Sequence, residues 1–162
     1  MNDNNINSIL FVCMGNICRS PSAEAIFRTK AQKLMAHLTV DSAGTIAAHV
    51  GETPDKRSQQ AARARGYSFD GITARQVNSD DFEKFDLILA MDLDNLHNLQ
   101  QLSSEKYHHK IKLFLDFAEH FSEQEVPDPY YGGSQGFEHV VDLIEDASDG
   151  LLKHLTQGDK QH

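Results

Sequence analysis

The sequence predicts an α/β fold, a small parallel sheet flanked by helices, and three observations carry that expectation. Short uninterrupted apolar runs, the mark of strands covered on both faces, recur along the chain. Segments of helical spacing or composition separate them. No repeat, linker or low-complexity stretch breaks the alternation, so one domain is expected over residues 1–162. The first run is Ile9-Leu10-Phe11-Val12, which ends at Cys13. Ser20-Pro21 reads as a helix start, Ser20 capping and Pro21 taking the first helical position. Ala23, Ile26, Phe27, Ala31 and Leu34 then fall at helical spacing. Leu38-Thr39-Val40 is a second short strand, with Asp41-Ser42-Ala43-Gly44 as the turn that ends it. Residues 56–65 favour helix and Gly66 suits its end. Strands at 87–90 and 111–115 bracket a helix at 93–102. In the C-terminal helix, Phe137, Val140, Val141, Ile144, Leu151, Leu152 and Leu155 share one face.

Composition narrows the function. Apolar residues make up 40% and charged residues 24%, as in ordinary globular chains. Basic residues number 15 and acidic residues 24, a net charge of −9. Such a field repels duplex DNA and anionic lipid, so no nucleic-acid or membrane partner is expected. Screening confines the field to about 10 Å, which leaves room for a local anion pocket. Two cysteines are too few for a disulfide scaffold and point to a reducing compartment. The N-terminus lacks the basic start and apolar run of an export signal. A soluble, cytoplasmic chain is expected, and a weak homodimer is left open.

The chemistry concentrates between Cys13 and Ser20. Ligands of parallel α/β sheets bind beyond the carboxyl ends of the strands, and Cys13 sits at one. A Cys-x5-Arg loop between strand and helix can turn successive N–H groups inward as an anion cradle. The following helix adds uncommitted N–H groups and about half a positive charge. Arg19 can lay its fork of donors on two oxygens of a tetrahedral anion. Positive surroundings favour the thiolate of a cysteine on the cradle floor. A nucleophile beneath a phosphate implies attack on phosphorus and a cysteinyl-phosphate intermediate. The nucleotide-binding pattern Gly-x4-Gly-Lys-Ser/Thr is absent, and neither metal nor cofactor is expected.

The string Phe11-Val12-Cys13-Met14-Gly15-Asn16-Ile17-Cys18-Arg19-Ser20-Pro21 closely resembles the signature of the low-molecular-weight protein tyrosine phosphatases. The resemblance continues through Asp41-Ser42-Ala43-Gly44-Thr45, Ala74-Arg75-Gln76, residues 86–92 and Asp128-Pro129-Tyr130-Tyr131. It implies a three-layer sandwich around a four-stranded parallel sheet in order 2-1-3-4. It also implies hydrolysis of protein phosphotyrosine to inorganic phosphate. By matching position, Cys13 is the nucleophile and Arg19 the phosphate clamp. Backbone N–H groups of Met14, Gly15, Asn16, Ile17, Cys18 and Arg19 form the cradle. Ser20 would donate to the Cys13 thiolate, and Asn16 would shape the loop through Ser42. Asparagine also tolerates left-handed backbone geometry.

Ester cleavage needs a proton for the leaving oxygen, and the resemblance supplies it from Asp128, which then serves as base for water. Tyr130 and Tyr131 match aromatics that border the entrance. Cys18 matches a cysteine that traps Cys13 as a reversible disulfide before further oxidation. Two positions depart from the family pattern. Ala48 stands where relatives usually place Trp or Tyr as a wall for the ring, leaving His49 or a late-loop tyrosine to compensate. Ile72 stands where many relatives have histidine, which bears on hydrogen bonding of the loop.

Other motifs carry less. Gly132-Gly133-Ser134-Gln135-Gly136 satisfies Gly-x-Ser-x-Gly but reads as a loop leading into the last helix. His108-His109 reads as a polar turn, and Cys13-x4-Cys18 has no second half for a zinc site. A thiol-dependent arsenate reductase shares the loop but needs cysteines after Cys18. A protein-arginine phosphatase on the same scaffold is the nearer rival, and there threonine at the position of Ile17 marks phosphoarginine preference.

Overall fold

The computed structural model describes residues 6–129 and 133–160. Four parallel strands lie at its centre: β1 (Ser8–Cys13), β2 (Thr39–Gly44), β3 (Leu87–Ala90) and β4 (Ile111–Leu113). Their order is β2-β1-β3-β4, with Cys13 opposite Gly44 and Phe11 opposite both Ser42 and Leu89. The helices are α1 (Arg19–Ala31), α2 (Lys56–Arg63), α3 (Ser79–Lys84), α4 (Leu93–Leu102) and α5 (Gly133–Lys160). The expected sheet and its order are present.

Side-chain alternation divides the core into two layers. Ile9, Phe11, Leu87 and Leu89 pack with α1, α2 and α5, through residues such as Phe27, Ala62, Ile144 and Leu151. Leu10, Val12, Ile88 and Ala90 face the other way, onto Phe82, Phe85 and Leu99 of the α3 and α4 layer. Phe11 anchors the first layer, its ring edge-on to Phe27 at 5.8 Å and to Phe114 at 5.0 Å. All seven apolar positions expected on α5 are buried. Gly150 lets α5 approach closely, because a Cβ there would collide with the Phe117 carbonyl oxygen.

Several boundaries differ from expectation. The first helix starts at Arg19 and not at Pro21, so Ser20 lies inside it and makes no cap. Its hydroxyl is taken by Cys13, 3.0 Å away. The helix ends at Ala31, leaving Leu34 in a turn and exposed. Asp41-Ser42-Ala43-Gly44 is strand, not turn, because parallel pairing with β1 continues to Cys13. The last strand stops at Leu113 and the chain tightens into a 3-10 turn over Phe114–Phe117. Helix α3 was not anticipated, although Asn78 and Asp81 form a capping box at its start. Gly133–Gly136 opens α5, and His108-His109 lies in a 3-10 turn.

Candidate active site

Sheet and loop meet where β1 ends. Gly44 makes that meeting sterically feasible: a Cβ there would stand 2.7 Å from the Met14 carbonyl oxygen and 3.2 Å from the Asn16 nitrogen. The Thr45 and Ile46 N–H groups donate to the carbonyls of Cys13 and Met14, both at 3.0 Å, so the β2 exit tracks the loop. On the far side, the Asp55 N–H holds the Ile17 carbonyl at 2.7 Å.

Asn16 sets the loop's shape. Its φ of 58° is left-handed, a conformation asparagine accepts more readily than most residues. Fully buried, it spends its whole amide on neighbours. Nδ2 donates to Ser20 Oγ at 2.8 Å and to Ser42 Oγ at 3.0 Å, while Oδ1 accepts the Arg75 N–H at 3.0 Å. The Asn16 oxygen thus takes a main-chain donor, and Ile72 is part of the core.

Cys13 Sγ accepts the Asn16 N–H at 3.2 Å and lies 3.0 Å from Ser20 Oγ. Because Asn16 already donates to Ser20, the serine hydroxyl proton is left for the sulfur, the Ala43 carbonyl at 3.4 Å being the weaker acceptor. Behind this pair, the Ser42 hydroxyl donates to Glu24 Oε1 at 2.6 Å. Burial raises the Glu24 carboxyl above its usual range, and the Ser42 hydrogen bond only partly opposes it.

Arg19 is held by groups that its own loop does not supply. Nη1 donates to Asp92 Oδ2 at 2.7 Å and to the Val126 carbonyl at 3.0 Å. Burial disfavours the guanidinium charge. The negative charge at Cys13, the bond and charge of Asp92 and the charge of Asp128 outweigh that and hold it above its usual range. Asp92 also caps α4 by accepting the Asn95 N–H at 2.7 Å. Val126 returns its own N–H to the Met91 carbonyl at 2.8 Å, which ties the segment before Asp128 to the sheet.

A cavity of ≈ 80 Å³ opens above the sulfur. Of the residues singled out in the sequence, Met14, Gly15, Ile17, Cys18, Arg19, His49 and Asp128 line it with Cys13. Asn16, Ser20 and Ser42 are buried supports. Ala48 is exposed and does not line the cavity, whereas Ile46 and His49 do. The loop after Gly44 is pinned by the Thr45 and Ile46 N–H bonds, which bring positions 46 and 49 to the opening. His49 packs over Gly15, where a Cβ would meet its Cδ2 at 3.0 Å, and its Nδ1 lies 3.0 Å from Glu52 Oε2. Tyr130 and Tyr131 lie outside the described residues. Both cysteines are buried, and neither is in a disulfide.

Sequence reasoning gave no role to Glu24, Asp92 or Arg75. Asp92 alone had a local signal, as an aspartate between a buried strand and a helix. Arg75 fixes its main chain by pairing both guanidinium nitrogens with Asp81 at 3.0 Å and reaching Asp41 at 3.1 Å.

A buried thiol that accepts a loop N–H, beside a buried arginine at the carboxyl end of a parallel sheet, is the arrangement of a cysteine-dependent phosphatase. The family model described as low molecular weight phosphotyrosine protein phosphatase matches residues 8–161, and the chain belongs to that family. The low molecular weight protein-tyrosine-phosphatase YfkJ of Bacillus subtilis is 46% identical over 156 residues, covering 95% of this chain and 98% of its own. The protein tyrosine phosphatase of Entamoeba histolytica, solved with Hepes in its active site, superposes with a TM-score of 0.89 at 44% identity, covering 94% and 98% of the two chains. Vibrio vulnificus Wzb, solved in complex with benzylphosphonate, gives 0.79 at 31% identity, covering 92% and 99%.

Proposed function

We propose that this chain hydrolyses protein phosphotyrosine in two displacements at Cys13. The observation that carries the reading is the sulfur itself, between the Asn16 N–H and Ser20 Oγ in a cavity that Arg19 and Asp128 also line. In the first step an S–P bond forms as the aryl P–O bond breaks. Asp128 gives its proton to the leaving phenolic oxygen, and the loop N–H groups with Arg19 take up the charge on the phosphoryl oxygens. In the second step water attacks phosphorus, its proton passes to Asp128, and the sulfur leaves as a thiolate steadied by Ser20. Inorganic phosphate is released, and no metal or cofactor enters either step. Benzylphosphonate, the ligand of the Wzb relative, carries an aromatic ring one atom from a tetrahedral anion, as phosphotyrosine does.

Ile17 on the cavity wall favours an aryl ester over phosphoarginine, and arsenate reduction finds no cysteine beyond Cys18. Cys18 lines the same cavity as Cys13 and is assigned the trapping thiol, closing a disulfide with Cys13 after peroxide oxidation. One domain, a cytoplasmic setting suited to two free thiols, and at most a weak homodimer complete the reading. Paired phosphotyrosine and phosphoarginine peptides, followed by phosphate release, test it. Phosphotyrosine should turn over faster, and Cys13→Ser should turn over neither while still binding vanadate. Cys18→Ser should keep activity but fail to recover after peroxide. Faster phosphoarginine hydrolysis, or a Cys18→Ser variant as inactive as Cys13→Ser, would overturn the assignments.

A further inference from the structure

Beside the phosphate cavity runs a wider groove of ≈ 550 Å³, and Met14, Arg19 and Asp128 line both. Its character is opposite to that of the cavity. Asp92, Asp94, Glu125 and Asp128 all line it, while Arg19 is its one permanent cation among the described residues. Arg19 is already committed to Asp92 and the Val126 carbonyl. Asp92 spends its second oxygen on the Asn95 N–H, and Glu125 gives Oε2 to the Leu93 N–H at 2.9 Å. The Asp94 carboxylate makes no hydrogen bond or ion pair among the described residues. An acidic cluster alone says little, but a second, independent feature points the same way. Asn95 lines this groove, is 1% exposed, and its side-chain oxygen Oδ1 has no hydrogen-bond partner among the described residues. A buried acceptor left without a donor costs stability, and natural structures seldom keep one without a use. Free carboxylate oxygens and an orphaned amide oxygen are all acceptors. Their complement is a cation with several N–H donors.

Resting on the phosphatase reading, we propose that this groove receives an arginine or lysine side chain flanking the phosphotyrosine of the protein substrate, with Asp94, Glu125 and Asn95 as its specificity-determining contacts. The cavity and groove then form one bipolar surface. The cavity takes the dianionic phosphoryl group and the groove takes the neighbouring cation, with Met14 at the boundary. Opposite charges held apart in this way fix the direction in which the peptide crosses the site.

Two phosphotyrosyl peptides that differ only in flanking residues, arginine in one and glutamate in the other, test the proposal through their ratio of kcat/KM. Wild-type protein should prefer the arginine peptide by about three- to tenfold, the worth of one or two exposed ion pairs, and added salt should shrink the preference. A chain of net charge −9 attracts cations everywhere, so the variants must separate groove from global field. Asp94→Lys should bring the ratio to one or below. Glu83→Lys makes the same charge change on α3, before the amino end of β3, and should leave the ratio standing. Asn95→Leu should lower the ratio, whereas a purely structural Asn95 would let leucine stabilise the fold with the ratio unmoved. Equal rates on the two peptides, an equal fall in Glu83→Lys, or an unmoved ratio in Asn95→Leu would each overturn the proposal. Release of phosphate from neither peptide would instead sink the phosphatase reading, and this inference with it.

Discussion

The main-chain N–H of Arg75 donates to the side-chain oxygen of Asn16 at 3.0 Å, joining two positions 59 residues apart. Through that bond the loop around Cys13 is held by backbone, and Arg75 is itself anchored by Asp41 and Asp81. Asn16→Ala should therefore leave the Arg75 N–H and the Ser20 and Ser42 hydroxyls short of a partner. The expected cost is about 1–3 kcal/mol for each polar group left truly unsatisfied. The left-handed φ would add strain in alanine. Denaturant unfolding should read the loss of stability, and phosphate affinity should fall with it. Unchanged phosphate affinity would mean that the amide supports the core but not the cradle.

His49 lines the cavity and Ala48 does not. His49→Ala should raise KM for aryl phosphates about three- to tenfold, the 0.5–1.5 kcal/mol typical of an aromatic contact, and change kcat less. Ala48→Trp, on an exposed position off the cavity, should do little unless the new ring folds back over Gly15. Steady-state kinetics on p-nitrophenyl phosphate would separate the two. A KM indifferent to His49 would return the wall to Ile46 or to residues 130 and 131.

The half of the site around Cys13 was legible because it is local. Cys13, the loop and Arg19 lie within seven consecutive residues between a strand and a helix, and both flanks show in the apolar pattern. The supporting half was not. Glu24 reaches Ser42 across 18 residues, Arg19 reaches Asp92 across 73, and Val126 across 107. Nothing periodic marks such pairs, since they exist only once parallel strands bring distant segments to one edge. The strand end at 41–44 was misread for a related reason. Asp, Ser and Gly favour turns locally, but pairing with β1 outweighs that preference, and Gly44 is needed there for close approach.

Two buried carboxylates should leave opposite marks on the pH dependence of stability. Burial raises Glu24 above its ordinary value of 4.5. Its contribution is fully present below that value and declines as pH rises toward the native one, because the unfolded chain ionises first. Asp146 is the reverse case. Burial alone would raise it, but the N–H groups of Phe121, His120 and Glu119 lower it below its ordinary value of 3.8. Its contribution is full above that value and is lost as pH falls through the native one. Thermal melts between pH 3 and 7 should show Glu24→Gln gaining on wild type as pH rises, with the Ser42 hydroxyl still able to donate. Asp146→Asn should lose most at neutral pH and approach wild type in acid. Parallel profiles for variant and wild type would refute the assigned directions.

Asp128 lines the cavity beside Cys13 and Arg19 on a segment fastened to the sheet through Val126, two residues earlier. If it protonates the leaving oxygen, its removal matters most where that oxygen is a poor leaving group. Asp128→Ala should slow phosphotyrosine hydrolysis by about 10²–10⁴, the usual worth of general acid–base catalysis. A strongly acidic phenol departs without help, so its transfer to Cys13 should slow far less. The first step must be followed by pre-steady-state release of the phenol, because the proposed mechanism also gives this carboxylate the water in the second. Plotted against phenol pKa, the rate of that release should become steeper in the variant than in wild type. Equal slowing across the series would exclude Asp128 as the acid. Asp128 would then act on the site only through its charge, which also reaches Arg19.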